Sequence, residues 1–359
     1  MTAAAKSYFW YHLRDKLKVL LFFVVLVLSL TFIFATEQRA EDYYYEEETM
    51  VSVEEFEWTV GSPFLLLIIY STILPVTEFS CFKKRRNLDC FYGLPVTRKE
   101  LGLIHYVTGL ICMVVPFSAG YLLNTLMMLR YPYAYSFDAV IGYYFVILLL
   151  AWCAYSLYVF VFNQANTTGD GIWFMILWNF LMWLAVAAVN EVIPIIYWRG
   201  KVVIDEITKS SLSHYWGIQG EIMEVYEGVV EKRESASLWE FWGDLKCITW
   251  FVGWIITGFA STFLFFKSFG KRRMEKAGEV SDSWFGFKIL IPLYATLSII
   301  NSEGAGLIWT VVFSFVGYLI YRRGFRLKLG DWISLAVIFL LNLAMLFTCF
   351  DNDFLYYIT

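Results

Sequence analysis

Long apolar runs recur along this chain of 359 residues and constrain its fold more than any other feature. The first extends from Val19 to Phe34 and is interrupted only by Ser29 and Thr31. Roughly 20 helical residues cross a hydrocarbon core about 30 Å thick, and the runs are close to that length. They predict an all-α integral membrane protein with about nine spans. The further runs begin near Val60, Leu101, Val140, Ile172, Ile248, Phe287, Ile308 and Trp332.

The overall composition agrees with a membrane location. Hydrophobic residues make up 59% of the chain and charged residues only 17%, whereas about a quarter of a soluble domain is charged. The mean hydropathy is +0.59. The composition therefore excludes an ordinary soluble domain, and we expect membrane lipid rather than nucleic acid as the surrounding partner.

Basic residues predict how the chain is threaded through the membrane. Four segments contain 20 of the 28 Lys and Arg, and basic loops favour the cytoplasmic side. The stretch from Glu37 to Trp58 has nine acidic residues and one basic residue, which places it outside together with residues 199–246. This threading predicts a multi-pass protein of the cell membrane with a cytoplasmic N-terminus. The four basic segments are residues 6–18, 83–99, 267–288 and 322–328.

The first 17 residues are amphipathic rather than spanning. Phe9, Trp10, Leu13 and Leu17 share one helical face, with Arg14 offset from it. This pattern is typical of a helix that lies in the membrane interface. The alternative is a solvated leader, which the aromatic residues disfavour.

The most sharply specified polar stretch is RRNLDCFYGLPVTRKEL, residues 85–101. Its first half predicts a short helix with one apolar side, which Gly93 and Pro95 terminate because proline cannot continue a helix. Thr97 and Glu100 then form a capping box that begins a new helix at Arg98. Such a segment could transmit a displacement into the span that follows, or it could be a basic loop that only sets topology. The composition leaves both possibilities open.

Motifs for catalysis are absent from the sequence. No GxxxxGK[ST] phosphate loop occurs, so we do not expect the chain to hydrolyse ATP. Neither HExxH nor GxSxG is present, and the six Cys match no zinc pattern. The three His residues lie far apart in the sequence: His12, His105 and His214. We therefore predict no catalytic residue, cofactor site or metal site in this chain.

Two segments resemble elements of ABC-2 type transporter permeases. The first, RRNLDCFYGLPVTRKELGL, is similar to the loop after the second span of that family. The second, KRRMEKAGE, is similar to an element after the sixth span, with Glu275, Ala277 and Gly278 in register. The resemblance covers roughly residues 1–280. Residues of the first segment that match are Arg86, Leu88, Asp89, Leu94, Pro95, Val96, Thr97 and Arg98.

The resemblance implies a domain plan. It consists of an interfacial helix over residues 1–17, a six-span permease core over 18–268 and a cytoplasmic linker over 269–284. Within the core lie a cytoplasmic coupling loop, residues 82–100, and the external segment 199–246. Residues 285–359 add about three spans to the family core, as in some Gram-positive bacterial members.

The resemblance also implies a function, that of the transmembrane subunit of an ATP-driven bacterial exporter. Separate ABC ATPase subunits would bind ATP and Mg²⁺, and a second permease, the same chain or a related one, would complete the pathway. The exported substrate would be a peptide or another amphipathic molecule. Coupling to the ATPase is expected at Leu88, Asp89, Phe91, Tyr92, Leu94, Pro95 and Arg98, and the element after the sixth span contributes Glu275 and Gly278.

Two other functions compete with this expectation. A non-transporting sensor or immunity subunit, for example against antimicrobial peptides, could share the same shape. A polytopic membrane enzyme would need acid, base and metal-ligand residues that face one cavity, and the sequence identifies none. We interpret His105 and Asn124 in the third span as packing or interhelical hydrogen-bonding residues.

Overall fold

The computed structural model is built almost entirely of helices. It describes residues 2–37, 44–46, 49–51, 67, 69–128, 137–181, 245–271, 277–279, 281, 283, 285–301 and 307–356. The predicted external segment 199–246 lies outside these ranges except for its last two residues, and Glu275 also lies outside them.

The helices follow the apolar runs of the sequence. A 3-10 turn over Ser80–Lys83 separates the second helix from the third. Two three-residue strands, Tyr44–Glu46 and Thr49–Val51, pair antiparallel with Tyr45 opposite Met50. The helices are α1 Ala3–Glu37, α2 69–79, α3 Arg85–Tyr92, α4 Arg98–Met128, α5 Phe137–Asn163, α6 168–181, α7 Leu245–Phe269, α8 Phe287–Asn301, α9 Leu307–Arg322 and α10 Leu329–Tyr356.

Among the described residues, four helices are long and apolar enough to cross a membrane. They are Ala3–Ile33, Arg98–Met127, Ile141–Asn163 and Phe251–Phe269. Three shorter apolar helices follow in the C-terminal part of the chain: Phe287–Ser298, Thr310–Arg322 and Leu329–Leu343. The helical class is therefore as predicted, while the total of about nine spans stays a prediction.

The predicted interfacial helix and the first span form one continuous helix, α1. The sequence offers a reason, because residues 3–37 contain neither glycine nor proline to interrupt the helix. Trp10 and Tyr11 are exposed on α1, whereas Ala5 and His12 are buried. The first turns of α1 are thus held against the protein on one face.

One compact unit comprises residues 1–163 and 218–277. In it α1 packs along α4, and α5 packs along α7. Glycines permit the closest helix contacts: a Cβ atom at Gly258 of α7 would lie 2.6 Å from Cys153 Sγ of α5. Its largest fully buried side chains include Phe79, Phe117, Tyr155, Phe265 and Phe269.

A second compact unit comprises residues 164–217 and 278–359. The Trp178 indole donates to the Phe285 carbonyl over 3.0 Å, and the Tyr294 hydroxyl donates to the Leu177 carbonyl over 2.5 Å. The Phe174 and Phe287 ring centroids lie 4.9 Å apart. Helix α6 belongs to the stretch 18–268 that the sequence analysis takes as the core. Its aromatic residues contact the start of α8, so α6 packs with the C-terminal helices.

Candidate functional site

The 82–100 segment has the local structure that its sequence predicts. Helix α3 ends at Tyr92, residues 93–96 form a turn, and α4 begins at Arg98. Proline at position 95 cannot donate a helical hydrogen bond, so the two helices cannot merge. The segment is a short helix, a stiff turn and the start of a helix of membrane-spanning length.

Reciprocal hydrogen bonds cap the first turn of α4. Thr97 Oγ1 lies 3.0 Å from Glu100 Oε2 and accepts the Glu100 backbone N–H over 3.3 Å. The Thr97 N–H donates to Glu100 Oε2 over 3.3 Å, which completes the capping box. Glu100 Oε1 also accepts the Thr2 backbone N–H over 2.7 Å. The start of α4 is thereby joined to the start of α1.

The predicted coupling residues do not all face outward. Phe91 is half-buried, with its ring centroid 5.1 Å from that of Phe82 and 6.1 Å from that of His105. Leu94 is half-buried, and Pro95 and Arg98 are exposed. The side chains of Leu88, Asp89 and Tyr92 lie outside the described part of the chain. Among the described side chains of the segment, those of the turn are largely exposed, while Phe91 anchors α3 to the helices behind it.

The two segments that resemble permease elements lie against each other in the structure. Arg85 Nε, in the first turn of α3, donates to the Ala277 carbonyl over 2.7 Å. Ala277 is buried. Gly278 has a φ of 83°, a left-handed conformation that glycine adopts without strain. The sequence alone could not predict this contact, because 192 positions separate Arg85 from Ala277.

Lys83 is a basic residue of this segment that points into the protein. It is buried, its Nζ atom donates to the Phe162 carbonyl over 2.7 Å, and it lies 4.3 Å from the Phe162 ring centroid. Phe162 belongs to the last turn of α5, where carbonyl groups lack helical donors and favour a cation. Lys83 therefore ties the 3-10 turn to the end of α5.

Behind Phe91 lies a buried polar cluster that the sequence did not predict. Glu78 Oε2 lies 2.9 Å from His12 Nε2 and 3.4 Å from His105 Nδ1, and Glu78 Oε1 lies 2.9 Å from Lys16 Nζ. His105 Nε2 lies 3.1 Å from the Tyr8 hydroxyl oxygen. The sequence indicates a packing or interhelical hydrogen-bonding role for His105, and its contact with Tyr8 of α1 is of the second kind; the sequence does not relate His105 to His12.

One signal in the sequence points to this cluster. Glu78 is the only acidic residue between Val60 and Arg85, in an otherwise apolar run, and a carboxylate in such a position requires partners. The sequence could not name those partners because they lie on α1 and α4. His12, Glu78 and His105 also form a group of possible metal ligands, with the ligand atoms within 4.8 Å of one another.

Comparisons with known proteins give no family assignment, since no family model, curated protein or solved structure matches this chain.

Proposed function

We propose that this chain is the transmembrane permease subunit of an ATP-driven ABC exporter in a bacterial cell membrane. A separate ATPase subunit binds ATP and Mg²⁺ and contacts the 82–100 segment from the cytoplasm. The proposal includes a six-span core with about three further spans, a second permease subunit, and a peptide or amphipathic substrate.

The observation that carries the proposal is the way the 82–100 segment is joined to the membrane helices. A displacement of its exposed turn reaches α4 directly through the capped first turn at Thr97. It reaches the segment that follows α7 through the hydrogen bond from Arg85 to Ala277. A loop that only sets topology has no need of these two connections. They suit a segment that transmits a push from a partner.

The packing of Phe91 adds a third connection. Its ring contacts Phe82 and His105, so α3 is supported by the 3-10 turn before it and by the second turn of α4. Aromatic contacts of this kind hold a short helix that would be marginal by itself, because isolated helices below about 12 residues are unstable in water. The segment is thus held as one piece rather than as a loose loop.

Co-purification of an ATPase from native membranes tests the proposal. The informative variants are Pro95→Asp in the turn and Arg98→Glu at the first residue of α4, which both change exposed side chains. Glutamate in the first turn of α4 is compatible with the helix, because acidic residues are favourable near a helix N-terminus. Arg326→Glu is the matched control, since Arg326 is likewise an exposed arginine and lies between the helices α9 and α10.

We expect an ATPase subunit with a phosphate-loop motif to co-purify with the wild-type chain and with Arg326→Glu. We expect the amount of bound ATPase to fall at least about tenfold in Pro95→Asp and Arg98→Glu, as loss of a central interface contact predicts. An intact wild-type protein that carries no ATPase would refute the proposal. If the ATPase binds but the cellular phenotype does not require ATP hydrolysis, the result would instead favour the sensor or immunity function.

A further inference from the structure

The cluster of His12, Glu78 and His105 has no part in the contact with an ATPase and requires its own explanation. It joins three helices at one end: His12 lies near the start of α1, Glu78 near the end of α2, and His105 near the start of α4. The Glu78 and His105 side chains are each 1% exposed. Water therefore contributes little to satisfying these polar groups, and the protein or a ligand must do so.

The three side chains offer a donor set that divalent transition metal ions prefer. Imidazole nitrogen and carboxylate oxygen bind Zn²⁺ at about 2.0–2.2 Å, commonly with two His and one Glu. In a tetrahedral site with such bonds the ligand atoms are about 3.4 Å apart. The distances from Glu78 Oε2 are 2.9 Å to His12 Nε2 and 3.4 Å to His105 Nδ1. Both distances are within about 0.5 Å of that separation, and all three ligand atoms lie within 4.8 Å of one another.

In one of the two His105 tautomers, the hydrogen bonding of this residue favours a cation in the cluster. His105 Nδ1 is buried and makes no hydrogen bond to any described residue, although it faces Glu78 Oε2. If Nε2 carries the proton, it donates to the Tyr8 hydroxyl oxygen, and the Nδ1 lone pair then faces a carboxylate oxygen. A metal ion between Nδ1 and Oε2 converts this repulsion into two coordinate bonds. Tyr8 then holds the ring in the coordinating tautomer, as partners of metal-bound histidines commonly do.

Lys16 makes the inference unusually testable. Its Nζ atom lies 2.9 Å from Glu78 Oε1, the oxygen that does not face the two histidines. The ammonium group neutralises Glu78 when no metal ion is bound, and it repels a metal ion bound at Oε2. Removal of this charge is therefore expected to strengthen metal binding, whereas removal of an ordinary structural ion-pair partner has no such effect.

We propose that His12, Glu78 and His105 form a binding site for a divalent first-row transition metal ion. Zn²⁺ is the ion that the donor set fits best. The bound ion holds the ends of α1, α2 and α4 together. This inference does not depend on the proposed exporter function, because it concerns metal binding by the isolated chain.

The test is metal binding by the full chain, purified in detergent and treated with a chelator before measurement. Zn²⁺ is titrated and its stoichiometry is determined by elemental analysis, with Co²⁺ as a spectroscopic probe of the ligand set. We expect the wild-type chain to bind one Zn²⁺ tightly. We expect the Zn²⁺ affinity to fall at least about a hundredfold in His12→Gln and in His105→Gln. The Co²⁺ spectrum of the site should lack a thiolate band and should be unchanged in Cys81→Ser.

Lys16→Gln and Lys18→Gln form the matched pair of charge variants, since Lys18 is an exposed lysine on the same helix. Lys16→Gln should bind Zn²⁺ about tenfold more tightly than the wild-type chain, and Lys18→Gln should bind it equally. Equal Zn²⁺ binding by the wild-type chain and by both folded histidine variants would overturn the proposal, as would equal affinities in the two lysine variants. If a histidine variant does not fold, the wild-type chain decides, because a true site raises its melting temperature with Zn²⁺ and a chelator reverses the effect.

Discussion

At the scale of single residues, one ion pair closes the turn between α9 and α10. Arg322 donates through Nε to Asp331 Oδ2 over 2.7 Å and through Nη2 to Oδ1 over 2.8 Å. Asp331 Oδ2 also accepts the Lys328 backbone N–H over 2.9 Å. Both side chains are largely buried, so this bidentate ion pair is well protected from water.

We expect Asp331→Asn to destabilise the protein by about 2 kcal/mol, because hydrogen bonds to charged groups contribute more than neutral ones. Thermal unfolding in detergent measures the effect. A double-mutant cycle with Arg322→Gln isolates the interaction energy of the Arg322–Asp331 pair from the other effects of each substitution. We expect a coupling energy of at least about 1 kcal/mol. Additive effects of the two substitutions would show that the ion pair does not stabilise this turn.

A second prediction at this scale concerns Thr97. Thr97→Ala removes the hydroxyl that accepts the Glu100 N–H and should cost about 1 kcal/mol in the first turn of α4. Hydrogen exchange of the backbone amides at Glu100 and Leu101 should become about fivefold faster. Thr97→Ser is the control, because serine retains the capping oxygen. The same exchange rate in the alanine and serine variants would contradict the role of the cap.

At the scale of elements, the close approach of α5 and α7 depends on one glycine. A Cβ atom at Gly258 would lie 2.6 Å from Cys153 Sγ and 3.0 Å from Cys153 Cα. The second distance involves the backbone of α5, which a rotamer change cannot move. The two helices would therefore have to separate to admit any side chain at this position.

Gly258→Val should destabilise the protein by about 2 kcal/mol or more, since overpacking displaces backbone as well as side chains. Gly253→Val on the same helix is a matched control, because a Cβ atom there meets no heavy atom within 4 Å. The two variants share the change in helix propensity, so their difference in melting temperature reports the contact with Cys153. Equal melting temperatures would show that α5 and α7 are not packed this closely.

At the scale of the whole molecule, the distribution of charge makes a prediction about topology. We expect Pro95→Cys and Phe325→Cys to react with a membrane-impermeant maleimide only in inverted vesicles, because both positions lie in basic segments. Glu47→Cys, within the acidic stretch, should react only in right-side-out vesicles. Labelling of the unsubstituted chain supplies the background from its six cysteines. Labelling of positions 95 and 325 from opposite sides would rule out the proposed threading.

The sequence by itself determined the features that neighbouring residues decide. The helical class, with helices long and apolar enough to cross a membrane, follows from the apolar runs, and the start of α4 follows from Thr97 and Glu100, three positions apart. Local patterns suffice in such cases because the interacting groups are close in the chain.

Only the tertiary structure decided which distant residues meet. Glu78 pairs with His12 across 66 positions, and Arg85 reaches Ala277 across 192. Such contacts depend on which helix faces pack together, and hydrophobic periodicity does not specify a particular partner helix. The same reason explains why the sequence does not show that α6 packs with the C-terminal helices. The buried cluster at Glu78 arises from packing, because no short stretch of the chain contains its members.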